Sequence, residues 1–161
     1  MKRLSIILAP VLLTGLLSIA VAAAHTAVAT HNSTLNGFQT ASSESDGVVV
    51  VLNAAGDLPG MGKVTFKHEG GNVNGGTWSL TVLPANADAT SSERGTLSGT
   101  VNGGTLSFNS NGVLSGASSV GLTVEGGTGE HAAVSAGSGT INLSTDAEKP
   151  SRLNGTLVLN F

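Results

Sequence analysis

Four histidines (His25, His31, His68 and His131) and a thin scatter of carboxylates are the residues of this chain best suited to chemistry. The histidines do not share the short, regular spacing of a zinc or other metal motif. One arrangement has a chemical logic: if His25 became the first residue, its amine and imidazole would suit Cu(II) together with a second histidine. No further ligand is specified, and exposed or hydrogen-bonded imidazoles are the default, so no metal site is assigned. Glu125 and Glu130 flank a glycine run, while Glu44 with Asp46 and Asp88 with Glu93 sit in polar stretches. A glycosidase would need two such carboxylates facing each other across a cleft; solvated loop charges explain them more simply. There is no cysteine and no G-x-S-x-G nucleophile elbow. Gly126-Gly127-Thr128-Gly129 could cradle a phosphate only if a helix N-terminus and a cation followed, and Glu130-His131 follow instead. The run is read as a structural turn, with no catalytic or cofactor-binding residue, and the chain leans away from being an enzyme.

The elements that must carry these residues begin after a leader. Lys2 and Arg3 precede an uncharged apolar stretch from Leu4 to Ala20, and Ala22 and Ala24 form an A-x-A site. These are the three parts of a secretory signal peptide. The expectation is a leader over 1–24, cleavage near Ala24, and one domain over 25–161, secreted or periplasmic, with no stable membrane span once the leader is gone. The net charge of −3 becomes more negative when Lys2 and Arg3 leave. Too few cations remain to neutralise a run of phosphates, which excludes nucleic acid as a partner. An exported chain without cysteine must be stabilised by burial and sheet hydrogen bonds rather than disulfides. With Phe38, Phe66, Trp78, Phe108 and Phe161 as the aromatics beyond the leader, the core must be mostly Val, Leu and Ile.

The pattern beyond the leader is period two, not 3.6. Val48 to Leu52 is a continuous apolar run, the pattern of a strand covered on both faces. Val64 to His68 alternates, with Val64, Phe66 and His68 on one face. Residues 26–40 give a weaker strand signal, 53–62 read as a loop, and Glu69 to Asn72 read as a turn. The phrase Gly, Thr, apolar, any, apolar recurs at Gly76–Leu80, Gly104–Phe108, Gly139–Leu143 and Gly155–Leu159, with a damaged copy at Gly95–Gly99. It reads as a strand entry whose apolar residues share a face. Asn102-Gly103 and Asn111-Gly112 are hairpin signals. Longer loops are expected over 84–92 and 145–151. The fold class expected is all-β: a single antiparallel barrel of about eight strands.

Val124-Glu125-Gly126-Gly127-Thr128-Gly129-Glu130-His131, followed by small residues and Gly137-Ser138-Gly139-Thr140, resembles the glycine signature of dirigent proteins and allene oxide cyclases. The resemblance covers about 20 residues in a single stretch, which bears on fold more than on function. It implies an eight-stranded antiparallel barrel, frequent homo-oligomers, and a role guiding cyclisation or coupling of a reactive intermediate. His131 stands where those families carry an aromatic, the run to Gly137 is one residue longer, and none of their pocket residues can be placed here. The residues themselves leave two other readings. One is an exported module that holds a small apolar ligand in the barrel mouth or acts structurally. The other is a small outer-membrane barrel, because Leu157, Leu159 and Phe161 alternate to a terminal aromatic. Tyr is absent and Trp78 stands alone, so the aromatic girdles of such barrels are missing. An ordinary closing strand, with Phe161 in or capping the core, is preferred. Asn32-Ser33-Thr34, Asn142-Leu143-Ser144 and Asn154-Gly155-Thr156 match the glycosylation pattern, as chance allows in a chain this rich in Asn, Ser and Thr.

Overall fold

Alternating side chains place one set on each face of an extended chain, and here they build eight strands. These are β1 (Thr30–Ser43), β2 (Gly47–Gly56), β3 (Gly60–Glu69), β4 (Asn72–Val82), β5 (Gly95–Phe108), β6 (Leu114–Gly127), β7 (Gly137–Thr145) and β8 (Leu153–Asn160). The computed structural model describes residues 28–43, 47–83 and 95–161. The expected leader, its cut site, His25, and the pairs Glu44/Asp46 and Asp88/Glu93 lie outside the described residues. Each strand pairs antiparallel with the next, and β8 returns to β1, closing the barrel in sequence order. The closing seam sets His31 opposite Leu159, Thr34 opposite Thr156 and Gly37 opposite Leu153. Every strand therefore has two neighbours, which removes the free edges that an open sheet must protect.

The inward residues are aliphatic. Val48, Val50, Leu97, Val120 and Leu159 are fully excluded from solvent, and Phe66 and Trp78 are the buried aromatics among the described residues. A barrel of eight strands is just wide enough for side chains to fill. The void bounded by Leu35, Leu52, Val64, Trp78, Leu122 and Ile141 measures about 20 Å³, room for little more than one water. Trp78 borders this space. It faces Gly99 on β5, and its indole N–H donates to the Thr123 carbonyl on β6 at 2.9 Å. A Cβ at Gly99 would strike that same carbonyl and come within 3.0 Å of the indole nitrogen. Glycine is required there because the Thr123 backbone carbonyl, with the indole beside it, occupies the place of its side chain.

The recurring glycine–threonine phrase does what its pattern demands: Trp78 and Leu80, Ile141 and Leu143, and Leu157 and Leu159 are all buried. Only Gly95 opens a strand, however; Gly76 and Gly104 lie within β4 and β5. Three other expectations are corrected. Asn102-Gly103 is not a hairpin, because β5 runs unbroken from Gly95 to Phe108 and the pairing register with β6 shifts around Gly103. Gly104, at φ +132°, absorbs the irregularity as a bulge. Val48–Leu52 is covered on one face only, since Val49 and Val51 are half-buried while Val48, Val50 and Leu52 are core. Of the loop expected over 53–62, residues 53–56 extend β2 and 60–62 begin β3. Asn111-Gly112 does lie in a turn, between β5 and β6, where the Asn109 side-chain oxygen accepts from the Asn111 and Val113 N–H groups at 2.9 and 3.0 Å.

Candidate functional site

One mouth of the barrel gathers both ends of the domain and the connections β2–β3 and β6–β7. The β2–β3 connection is a plug. Leu58 is buried, its N–H donates to the buried Ser33 hydroxyl at 3.2 Å, and Asp57 accepts from the Asn32 N–H at 2.8 Å. The β6–β7 connection starts at the glycine run. Gly126 and Gly127 end β6, Thr128 is extended, and Gly129, at φ +61°, opens a 3-10 turn over Gly129–His131. Thr128 is tied to β5: its N–H donates to the Thr96 carbonyl at 2.9 Å, and its hydroxyl accepts from the Thr96 N–H at 3.1 Å. A Cβ on Gly127 would collide with the His131 carbonyl, so the glycine lets the turn fold back on its own strand.

That turn carries His131 to the seam. The Ala29 N–H donates to the Phe161 carbonyl at 2.9 Å and the Phe161 N–H to the Ala29 carbonyl at 3.1 Å. His31 stacks on the Phe161 ring at 4.5 Å between centroids, and His131 meets the same ring edge-on at 6.1 Å. Two histidines far apart in sequence thus converge on one aromatic. Burial pushes the His131 imidazole below its ordinary pKa; the Glu130 carboxylate opposes this and the His31 imidazole reinforces it. Beside the cluster, Val28, Ala133, Val134, Ala136 and Phe161 line an open cleft of about 530 Å³. Val28 is exposed, and Phe161 packs on the core. The cleft can take a small apolar body, with Ser135 and Asn160 as its polar lining residues.

Linkage gives this cluster a pH signature. The unfolded chain protonates His131 near the ordinary value of 6.5 and the folded chain only at lower pH, so the unfolded state binds more protons in between. The contribution is complete above pH 6.5 and is lost as the pH falls toward the folded value. Thermal melts followed by circular dichroism should therefore show the midpoint falling from about pH 7 to about pH 5, with part of the slope removed in His131→Gln. An unchanged slope in the variant would contradict this reading.

At the opposite mouth His68 tilts against Phe108 at 4.9 Å, with its buried Nδ1 lacking a hydrogen-bond partner. Among the described residues no three His, Asp or Glu side chains converge as a metal cluster. Glu125 and Glu130 do not form a facing pair across a cleft: Glu125 is exposed on β6, where it accepts from the Thr100 hydroxyl at 2.9 Å, and Glu130 is exposed in the turn. The outer wall is mainly Thr, Ser and Asn, with Phe38 and Met61 its large exposed apolar residues on strands. The convergence of His31, His131 and Phe161 was not foreseen, although the alternation Leu157, Leu159, Phe161 already placed Phe161 on the inward face. Comparison with protein-family models, with curated proteins and with solved structures finds no match, so the functional reading rests on the residues and geometry of this chain.

Proposed function

We propose that this is an exported, non-enzymatic barrel that holds a small apolar molecule at the mouth formed by its two ends, not in its interior. The observation that carries the reading is the contrast between a mainly apolar cleft of about 530 Å³ at the mouth and a void of about 20 Å³ between the core side chains. Pockets of several hundred Å³ with mostly apolar walls are the usual form of small-ligand sites, and barrel mouths are among their usual places. Export, to the periplasm or the exterior, is supported by the basic, apolar and small-residue segments of residues 1–24.

A purely structural role is the second reading, favoured by the filled interior. The resemblance to dirigent proteins and allene oxide cyclases agrees with the closed antiparallel barrel, and copies of this chain would then associate. Guided cyclisation or coupling needs an enclosed space for its intermediate, and so little room inside weighs against it. The outer-membrane reading is opposed by polarity: the apolar residues face in and the Thr, Ser and Asn face out, the inverse of a barrel facing lipid.

The test is titration with the neutral dye N-phenyl-1-naphthylamine. Saturable enhancement with one site per chain and a Kd of about 1–10 µM is expected, and Val134→Asp should abolish it. Failure to saturate, or binding unaffected by Val134→Asp, would leave the structural role.

A further inference from the structure

Outside the mouth cleft, two shallow depressions of about 400 and 330 Å³ share Thr156. They lie on the outer wall along one cross-strand row, in which Ala55, Thr34, Thr156 and Asn142 are successive partners on β2, β1, β8 and β7. The row continues onto β6 through Ser119, whose N–H donates to the Asn142 side-chain oxygen at 2.8 Å. Five of the eight strands, about 4.8 Å apart, carry this row about 19 Å around the curved wall, a trough whose two depressions meet at Thr156. Its floor is shallow where Ala55, Gly56 and Gly155 supply little or no side chain.

We infer that this trough binds an uncharged polyhydroxylated chain, an oligosaccharide, through side-chain amides and hydroxyls fixed in advance by the barrel.

Three observations point the same way. First, among the described residues no ionisable side chain lines either depression. The carboxylates at its ends are already engaged: Asp57 by the Asn32 N–H, and Asp146 by the Glu148 and Lys149 N–H groups and the Asn154 amide at 2.8, 3.1 and 3.0 Å. A neutral ligand is the electrostatic match. Second, the amides are held in place. Ser119, the one described non-glycine residue with positive φ (50°), turns its N–H onto the Asn142 oxygen, so the Asn142 NH₂ points its donors away from that bond. Asn154 donates to Asp146 and accepts from Asn36 at 2.8 Å. The Thr34 hydroxyl donates to the Ala55 carbonyl at 3.2 Å, leaving its lone pairs to accept. Groups already fixed lose little rotamer freedom on binding, and non-glycine backbone held at positive φ clusters at ligand clamps and other functional positions. Third, the closed barrel offers no strand edge for a peptide to extend, and the trough has no aromatic or Arg anchor of the kind that dominates protein interfaces. The glycosylation-pattern triplets put their side chains on this trough because residues two apart share a face; their Asn amides are ligand-binding groups in this assignment, not attachment sites.

The test is an amide and side-chain NMR titration of the unglycosylated barrel with maltohexaose, cellohexaose and chitohexaose, and with a heparin hexasaccharide as the charged control. At least one neutral probe should give saturable shifts confined to Thr34, Asn142, Asn154 and Thr156, with a Kd of about 0.1–1 mM. Asn142→Asp keeps the oxygen that accepts from Ser119 and loses the donors; Thr156→Val keeps the strand-forming shape and loses the hydroxyl. Each should weaken binding about tenfold or more while the melting temperature stays within a few degrees. The inference is overturned if no neutral probe shifts these signals at about 10 mM, if both variants bind as the parent does, if heparin binds more tightly, or if secreted protein carries a covalent glycan on Asn142.

Discussion

Trp78→Ala is expected to destabilise the barrel by about 3–5 kcal/mol, the range for removing a large aromatic from a packed core. The indole spans the gap above Gly99, and its N–H satisfies the Thr123 carbonyl across the register shift between β5 and β6. Its loss opens a cavity between strands whose facing glycine has no side chain to move in. It also leaves a carbonyl without that partner, at a typical cost of about 1 kcal/mol. Chemical denaturation followed by far-UV circular dichroism measures the change. Trp78→Phe, which keeps most of the ring, should lose about half as much. The reciprocal change, Gly99→Val, should prevent folding even when Trp78 is made smaller in the same chain, since its Cβ meets the Thr123 backbone carbonyl as well as the indole.

Phe161→Ala should separate binding from folding. The ring is stacked by His31, met edge-on by His131, and forms one wall of the mouth cleft. Because it is only partly buried, its loss should cost about 1–2 kcal/mol of stability, less than a core aromatic. The same substitution should weaken N-phenyl-1-naphthylamine binding about tenfold or more, because a wall of the site and its aromatic contact disappear together. It should also flatten the pH dependence assigned to His131, which would become more hydrated. Retained affinity in a folded Phe161→Ala protein would move the ligand site elsewhere.

Much of the fold was legible because barrel formation is written locally. Alternation in Val64–His68 and Leu157–Phe161, the aliphatic composition, and the Asn111-Gly112 turn each act within a few residues. The errors came where one local signal serves two geometries. Asn102-Gly103 suits a two-residue turn and also a bulge; the pairing of both flanks with β6, Thr100 with Thr123 and Leu106 with Ala117, rules out the turn, and the local shifts on either side of Gly103 decide for the bulge. Val48–Leu52 looks doubly covered because Val49 and Val51 are apolar, yet they lie on the outer face, where Val51 pairs with the exposed Phe38. The sites were far less legible. His31 and His131 meet only because β8 closes onto β1 while the glycine turn after β6 folds toward the same mouth. The row Ala55, Thr34, Thr156, Asn142 exists only once four strands are in register. Long-range register is a property of the whole closed sheet, and no local pattern encodes it.

Trp78 is the only tryptophan in the chain and borders the small internal void, so its fluorescence reports directly on whether anything enters the barrel. The decisive measurement is contact quenching of Trp78 by a brominated apolar probe that competes with N-phenyl-1-naphthylamine. With the competing dye displaced and the mouth saturated, Trp78 emission should stay unquenched. Quenching that saturates at one probe per chain would place the ligand inside the barrel and contradict the reading of a filled interior with binding at its mouth.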